Sequence, residues 1–239
     1  NVTFIELDNF SEKKKTWFFR KVKELAHLKK LEHQNFGFYD CLNANRPQKY
    51  NLIGIATRFA FIIAHLFKAE HNIKFFEKLQ FKTYHNYIKY QTTLEILKNN
   101  KVDTMFFTHQ RPTFLGILIE ACNTLNINTS AFIFSWDNLA SKGRMAGDFQ
   151  NYYVWNNLMK DELLKFYPSI QSENVFVIGT PQFEPYFDDA YKVEKTAFQN
   201  KFNIRKDLKT ICFSCGDITT SKNDELYIES IMQAIQSQD

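Results

Sequence analysis

The sequence predicts an α/β protein organised around a parallel sheet, and three observations carry that expectation. Between residues 102 and 178, short apolar runs bounded by turn residues alternate with segments of helical period. The first strand, helix and strand of this series take about 30 residues, the length of a right-handed βαβ unit, and a second unit follows directly. The chain of 239 residues, 44% hydrophobic and 23% charged, is long and apolar enough to bury a core and too weakly charged for intrinsic disorder.

The opening VTFIEL (2–7) alternates and reads as a strand. From Ser11 the period changes. Phe18, Val22, Leu25, Leu28 and Leu31 recur every three or four residues with lysines elsewhere, the pattern of an amphipathic basic helix. Residues 52–67 (LIGIATRFAFIIAHLF) are apolar on nearly every side, which predicts a buried helix, with an interfacial one as the alternative. Residues 84–98 read as a helix closed by Asn99 and Asn100. Val102–Thr108 is a buried-type strand, and Pro112 opens a helix with Phe114, Leu115, Leu118, Ile119 and Cys122 on its apolar face. Asn126 and Asn128 bracket the turn into the strand Thr129–Phe134. A loop over 135–148 leads to the strand Tyr152–Trp155, a helix over 157–166 and the strand Val175–Ile178. Gly179-Thr180-Pro181 ends a first domain set at 1–181. A polar linker with helical stretches, 182–208, leads to 209–239, read as the first strand (Thr210–Ser214) and helix (Asp224–Ile235) of a second domain.

Composition narrows the function. The formal charge of +4 is local, because residues 11–30 hold eight Lys or Arg against two Glu. That patch suits anionic lipid headgroups, with Trp17, Phe18 and Phe19 beside Lys13, Lys14 and Lys15. It lacks the aromatic stacking motifs of RNA binders, so no nucleic-acid partner is expected. There is no basic signal-peptide region, no apolar run of the ~20 residues that span a bilayer, and only four scattered cysteines. The expectation is a cytoplasmic protein with peripheral contact at the inner face of the membrane. Cys212 and Cys215 form an isolated CxxC in an extended segment, where residues three apart point to opposite faces, and no metal is expected. No GxSxG, HExxH, EF-hand, P-loop or GxGxxG pattern is present, which argues against the enzymes and sensors built on them.

Ligands of open parallel sheets sit outside the carboxyl ends of strands, near helix N-termini whose free amides favour anions. After strand 102–108 comes His109, able to move a proton near neutral pH, and Arg111, able to hold phosphate or carboxylate bidentately; the same residues also read as a structural histidine and a solvated arginine. After strand 129–134 come Trp136, Asp137, Asn138, Lys142 and Arg144, which can stack a ring, orient hydroxyls and neutralise phosphate. Helix capping accounts for Asp137 or Asn138 but not for the set. After strand 210–214 the loop 215–221 is a suitable phosphate cradle with a single glycine.

THQR at 108–111, SWDNLASKGRM at 135–145, YYVWNNLMKDELLKFYP at 152–168 and VFVIGTPQFEPYF at 175–187 together resemble bacterial glycosyltransferase-type proteins of the two-Rossmann-domain (GT-B) architecture. The likeness extends to CDP-glycerol glycerophosphotransferases and non-hydrolysing UDP-sugar 2-epimerases, and it spans about 100–220. It implies a Rossmann-like parallel sheet with helices on both faces, an acceptor-side domain and the start of a donor-side domain. It implies transfer of a sugar from a nucleotide-activated donor to a glycan or lipid-linked acceptor in surface-polysaccharide synthesis. An epimerase, a CDP-glycerol-type phosphotransferase and a non-catalytic carbohydrate-binding or partner-binding module are the alternatives. On this likeness His109 or Asp137 is the catalytic base, and Arg111, Trp136, Asn138, Lys142 and Arg144 bind substrate. Ser214, Gly216, Asp217 and Thr219 begin the donor-phosphate loop, with no cofactor required. A complete second domain takes about another 120 residues, so the chain reads as a fragment.

Overall fold

A computed structural model of the chain describes residues 5, 11–217 and 221–237. All but Ile5 of the strand expected over 2–7, and Thr219, lie outside them. The chain divides into two units, Asn1–Pro181 and Gln182–Asp239.

The first unit holds a four-stranded parallel sheet flanked by helices. Its strands are β1 (Thr104–Phe107), β2 (Asn128–Phe132), β3 (Asn151–Val154) and β4 (Val175–Val177), paired in that order. Register fixes which side chains share a face, since alternate residues of a strand point opposite ways. Phe107, Ala131, Tyr152 and Val175 line up across the sheet and are all buried. On the other face Phe132, Tyr153 and Phe176 align, and Tyr153 lies 5.9 Å from the Phe106 ring and 5.7 Å from the Phe176 ring. Phe106 and Phe176 stay partly exposed, so cover is heavier on the first face.

A helical layer precedes the sheet: α1 (Lys14–Leu31), α2 (Phe38–Ala44), α3 (Leu52–Leu66), α4 (Glu70–Tyr84) and α5 (Ile88–Asn99). Helix α1 packs between α3 and α4, and α4 and α5 pack on α6 (Leu115–Leu125), the crossover between β1 and β2. Gly116 permits the close approach of α6 to α4, because a Cβ there would stand 2.3 Å from the buried Tyr84 hydroxyl. Asn126 ends α6 in the left-handed conformation (φ 54°), which Asn tolerates better than most residues. The short α7 (Asn138–Ser141) interrupts the expected loop 135–148, and α8 (Asn157–Phe166) starts where the Asn156 side chain accepts a hydrogen bond from the Met159 amide at 3.0 Å.

Three expectations are corrected. The segment 52–67 is helical, but it is not buried all round: Gly54, Thr57, Ala60 and Ala64 are buried and Phe61 and Ile63 pack partly against the core, while Leu52, Ile53, Ile55, Phe59, Ile62, Leu66 and Phe67 are exposed. The expected helix 84–98 divides, with Tyr84 ending α4 and a break at 85–87 before α5. In the second unit, which holds α9 (Lys195–Lys201) and α10 (Asp224–Gln236), residues 210–214 form no strand, because a ladder needs a partner and none pairs with them among the described residues.

The basic surplus of 11–30 is largely spent inside the layer. Lys23 is buried, Arg20 is held by Glu12 and Glu24, Lys29 by Glu32, Lys30 by Glu70, and Lys13 donates to the Asn86 carbonyl. No helix among the described residues is long and apolar enough to cross a membrane.

Candidate functional site

The loops that leave the carboxyl ends of β1 and β2 lie side by side because their strands are paired, and they are stitched together locally. The His109 ring stacks on Phe134 with centroids 5.1 Å apart and planes 8° from parallel. The Phe134 amide donates to Gln110 Oε1 at 3.4 Å, and the Ala146 amide donates to the Gln110 carbonyl at 3.0 Å. Gln110 is fully buried, so this residue, which sequence reasoning passed over, joins both loops. Its position between His109 and Arg111, directly after a strand, was the available signal.

Asp137 precedes α7 but does not cap it. Its carboxylate accepts hydrogen bonds from the Ser135 hydroxyl at 2.7 Å and the Ser141 hydroxyl at 2.9 Å. These hydroxyls, with Lys142 nearby, hold its pKa below the usual carboxylate range, so it is ionised at neutral pH. His109 is also pushed down, by partial burial and by Arg111, and is neutral at pH 7. The Arg111 amide donates to His109 Nδ1 at 3.2 Å. That places the neutral ring's proton on Nε2 and makes His109 a donor to substrate oxygen in this tautomer. Of the two candidates it is therefore the ionised Asp137 carboxylate that has free acceptor capacity for a hydroxyl proton, although its two hydroxyl donors weaken it as a base.

Behind α7, the Cys41 thiol of α2 donates to the Ser141 carbonyl at 2.7 Å. Burial raises the pKa of this thiol, while the charges of Lys142 and Arg111 act on it in the opposite sense. Three buried N–H groups in the two loops have no hydrogen-bond partner among the described residues: Gln110 Nε2, Arg111 Nε and Asn138 Nδ2. Each is a donor, which suits a ligand rich in acceptor oxygens. Trp136 is well exposed beside them.

Arg144 goes elsewhere, and its expected role in substrate binding is corrected. It is buried, with Nη2 donating to Glu70 at 2.7 Å, Nη1 donating to His27 Nδ1 at 3.2 Å and Nε 3.9 Å from Glu77. Burial opposes its charge, but Glu77 and Glu70 outweigh burial and keep it protonated. Lys23 completes the network, 3.3 Å from Glu77 and donating to the Ala146 carbonyl at 2.9 Å. Arg144 therefore anchors its loop to α1 and α4. A cleft of about 510 Å³ lined by Lys74, Phe81, His85, Glu120 and Gln150 opens near the amino-terminal end of β3, the wrong edge for a parallel sheet's ligand.

In the second unit Ser214, Gly216 and Asp217 are exposed. The Gly216 amide donates to the Asp224 carboxylate at 2.7 Å, and the Ser221 hydroxyl bonds the same carboxylate. Among the described residues no group of three His, Cys, Asp or Glu side chains is placed to hold a metal ion.

No family model and no solved structure matches the chain. Among curated proteins it is similar to a processive diacylglycerol beta-glucosyltransferase of Staphylococcus haemolyticus, 24% identical over 152 residues, covering 64% of this chain and 37% of the relative. The chain thus spans little more than a third of the length of that relative, and the likeness is to a glycosyltransferase.

Proposed function

We propose that the chain carries the acceptor-side half of a glycosyltransferase, which moves a sugar from a nucleotide-activated donor to a glycan or lipid-linked acceptor in surface-polysaccharide synthesis in the cytoplasm. The observation that carries this reading is the pairing of an ionised carboxylate, Asp137, with partnerless buried donors and an exposed indole at the carboxyl ends of two adjacent strands. Asp137 accepts the proton of the acceptor hydroxyl as it attacks the sugar carbon and the bond to the nucleotide diphosphate breaks. His109 Nε2–H donates to a sugar oxygen, Trp136 stacks on a ring, and Arg111, Asn138 and Lys142 bind acceptor oxygens. Ser214, Gly216, Asp217 and Thr219 begin the donor-phosphate loop. No cofactor is needed for displacement at an activated sugar.

One observation favours a second reading, a non-catalytic carbohydrate-binding module: the Gly216 amide offered to donor phosphate is already occupied by Asp224. Turnover by the full-length protein against a panel of UDP-sugars and CDP-glycerol separates the two. Transfer is expected, and Asp137→Asn should lower kcat by about 10² to 10⁴ with the fold intact by circular dichroism. Acceptor binding without transfer of any donor moves the reading to the binding module. Conversion of a UDP-sugar to its C2 epimer with no net release of nucleotide points to an epimerase, and glycerol phosphate transfer points to the phosphotransferase.

A further inference from the structure

Helix α3 is built inside out. A helix on the surface of a water-soluble domain turns its large apolar residues toward the core. Here the buried positions are Gly54, Thr57, Ala60 and Ala64, small residues that let α3 lie close on α1, with Phe61 and Ile63 packed partly buried against the core beside them. The outward positions are Leu52, Ile55, Phe59, Ile62 and Leu66, spaced three and four apart along one stripe and each more than half exposed. Ile53 and Tyr50 extend the stripe at its start. Such a continuous apolar surface marks an interaction face.

The polar groups around it are arranged to leave it bare. Arg58 lies back over the Tyr50 ring, 3.9 Å from its centroid, and donates to the Lys49 and Pro47 carbonyls at 3.2 Å. At the amino end of α3 a groove of about 930 Å³ runs between Trp17 and Phe18 of α1 and Leu52, Ile53 and Ala56 of α3. Lys14 and Lys15 stand in its wall, exposed and without an ion pair among the described residues. Among the described residues lining the groove the acid is Glu12, and it is bound by Arg20. The charge left at the edge of the apolar stripe is positive.

We infer that this face docks on an anionic lipid bilayer, with α3 lying in the plane of the interface and Lys14 and Lys15 meeting lipid phosphates. The helix has 15 residues, about 22 Å, too short to cross a hydrocarbon core of ~30 Å but long enough to seat its stripe in one leaflet. Of the basic segment 11–30, only its first turn takes part.

Flotation of the full chain with vesicles tests this without any donor or acceptor. The chain should rise with phosphatidylcholine vesicles in which phosphatidylglycerol makes up roughly a third of the lipid, and not with phosphatidylcholine alone. Lys14→Gln and Lys15→Gln should each weaken partitioning about fivefold. The double variant Ile55→Ser/Ile62→Ser should stay at the bottom of the gradient while keeping its thermal midpoint. A parent chain that does not float, or a double variant that floats equally well, overturns the proposal. A concentration-dependent dimer in ultracentrifugation that the double variant abolishes overturns it in favour of a second copy on this face. A protein that transfers sugar without floating loses only this proposal, and one that floats without transferring sugar loses only the proposed function.

Discussion

Helix α1 meets α4 and the 142–148 loop on one flank and α3 on the other, and the two contacts are made of opposite materials. Toward α4 the protein buries Lys23, His27, Glu77 and Arg144, a set of ionisable groups joined by ion pairs and by the Arg144–His27 hydrogen bond, with His27 Nε2 left unpaired among the described residues. Toward α3 the fully buried side chains are small, Phe59 stacks on Phe18 at the edge of the contact, and most of the helix's large apolar residues stay outside. A buried ion cluster is a poor source of net stability, since desolvation offsets much of the attraction, but it is unforgiving of a missing partner. A small-residue contact is unforgiving of added volume. The difference shows that residue character alone does not decide burial; the partner across the contact does.

The largest expected effect tests the ionic flank. Arg144→Ala leaves Glu70 and Glu77 without their shared cation and should cost about 3–5 kcal/mol in urea unfolding; a change under about 1 kcal/mol would show the network to be inert. On the other flank, Ala60→Leu drives volume into the α1 contact and should cost about 1–3 kcal/mol. Ile62→Ser, two residues away on the outer stripe, should stay within about 0.5 kcal/mol. Equal losses from these neighbours would remove the asymmetry. The gentlest probe is pH. His27 is held well below its ordinary pKa of 6.5, by burial first and then by Arg144, so it is neutral when folded and takes up a proton on unfolding in acid. Stability is full above pH 6.5 and falls as pH drops below it, by about 1.4 kcal/mol per pH unit once the unfolded histidine is protonated. The carboxylates Glu70 and Glu77, held below their ordinary 4.5, contribute their loss only at lower pH. His27→Gln should flatten the slope between pH 6.5 and 5 in thermal melts.

The sheet was the legible part. β1, α6, β2, β3, α8 and β4 follow from runs whose period matches their structure, and Asn126 marks its turn through backbone preference alone. Helix α3 was legible as a helix but not in its orientation, since a segment apolar all round names no inward face. Helix α4 was read only at its last residue, because the buried Glu77 and Gln80 break the apolar stripe that would have revealed it. The same residues held the missing clue about Arg144. Glu70 and Glu77 lie two turns apart on one face of α4 and needed a cation from elsewhere. Nothing in SKGRM says which of its two cations turns inward. In the candidate site, the position of His109, Arg111, Trp136, Asp137, Asn138 and Lys142 in the loops after β1 and β2 was legible in the sequence. Gln110, Ser135 and Ser141 matter through contacts made in three dimensions.

The bond between Asp224 and the Gly216 amide has a consequence for any phosphate that would use the 214–221 loop. The carboxylate is an internal rival ligand, tethered eight residues from the amide it occupies and so present at an effective concentration in the millimolar range or above. An incoming phosphate competes with a resident anion rather than entering open ground, and only one held by further contacts beyond this loop can displace it.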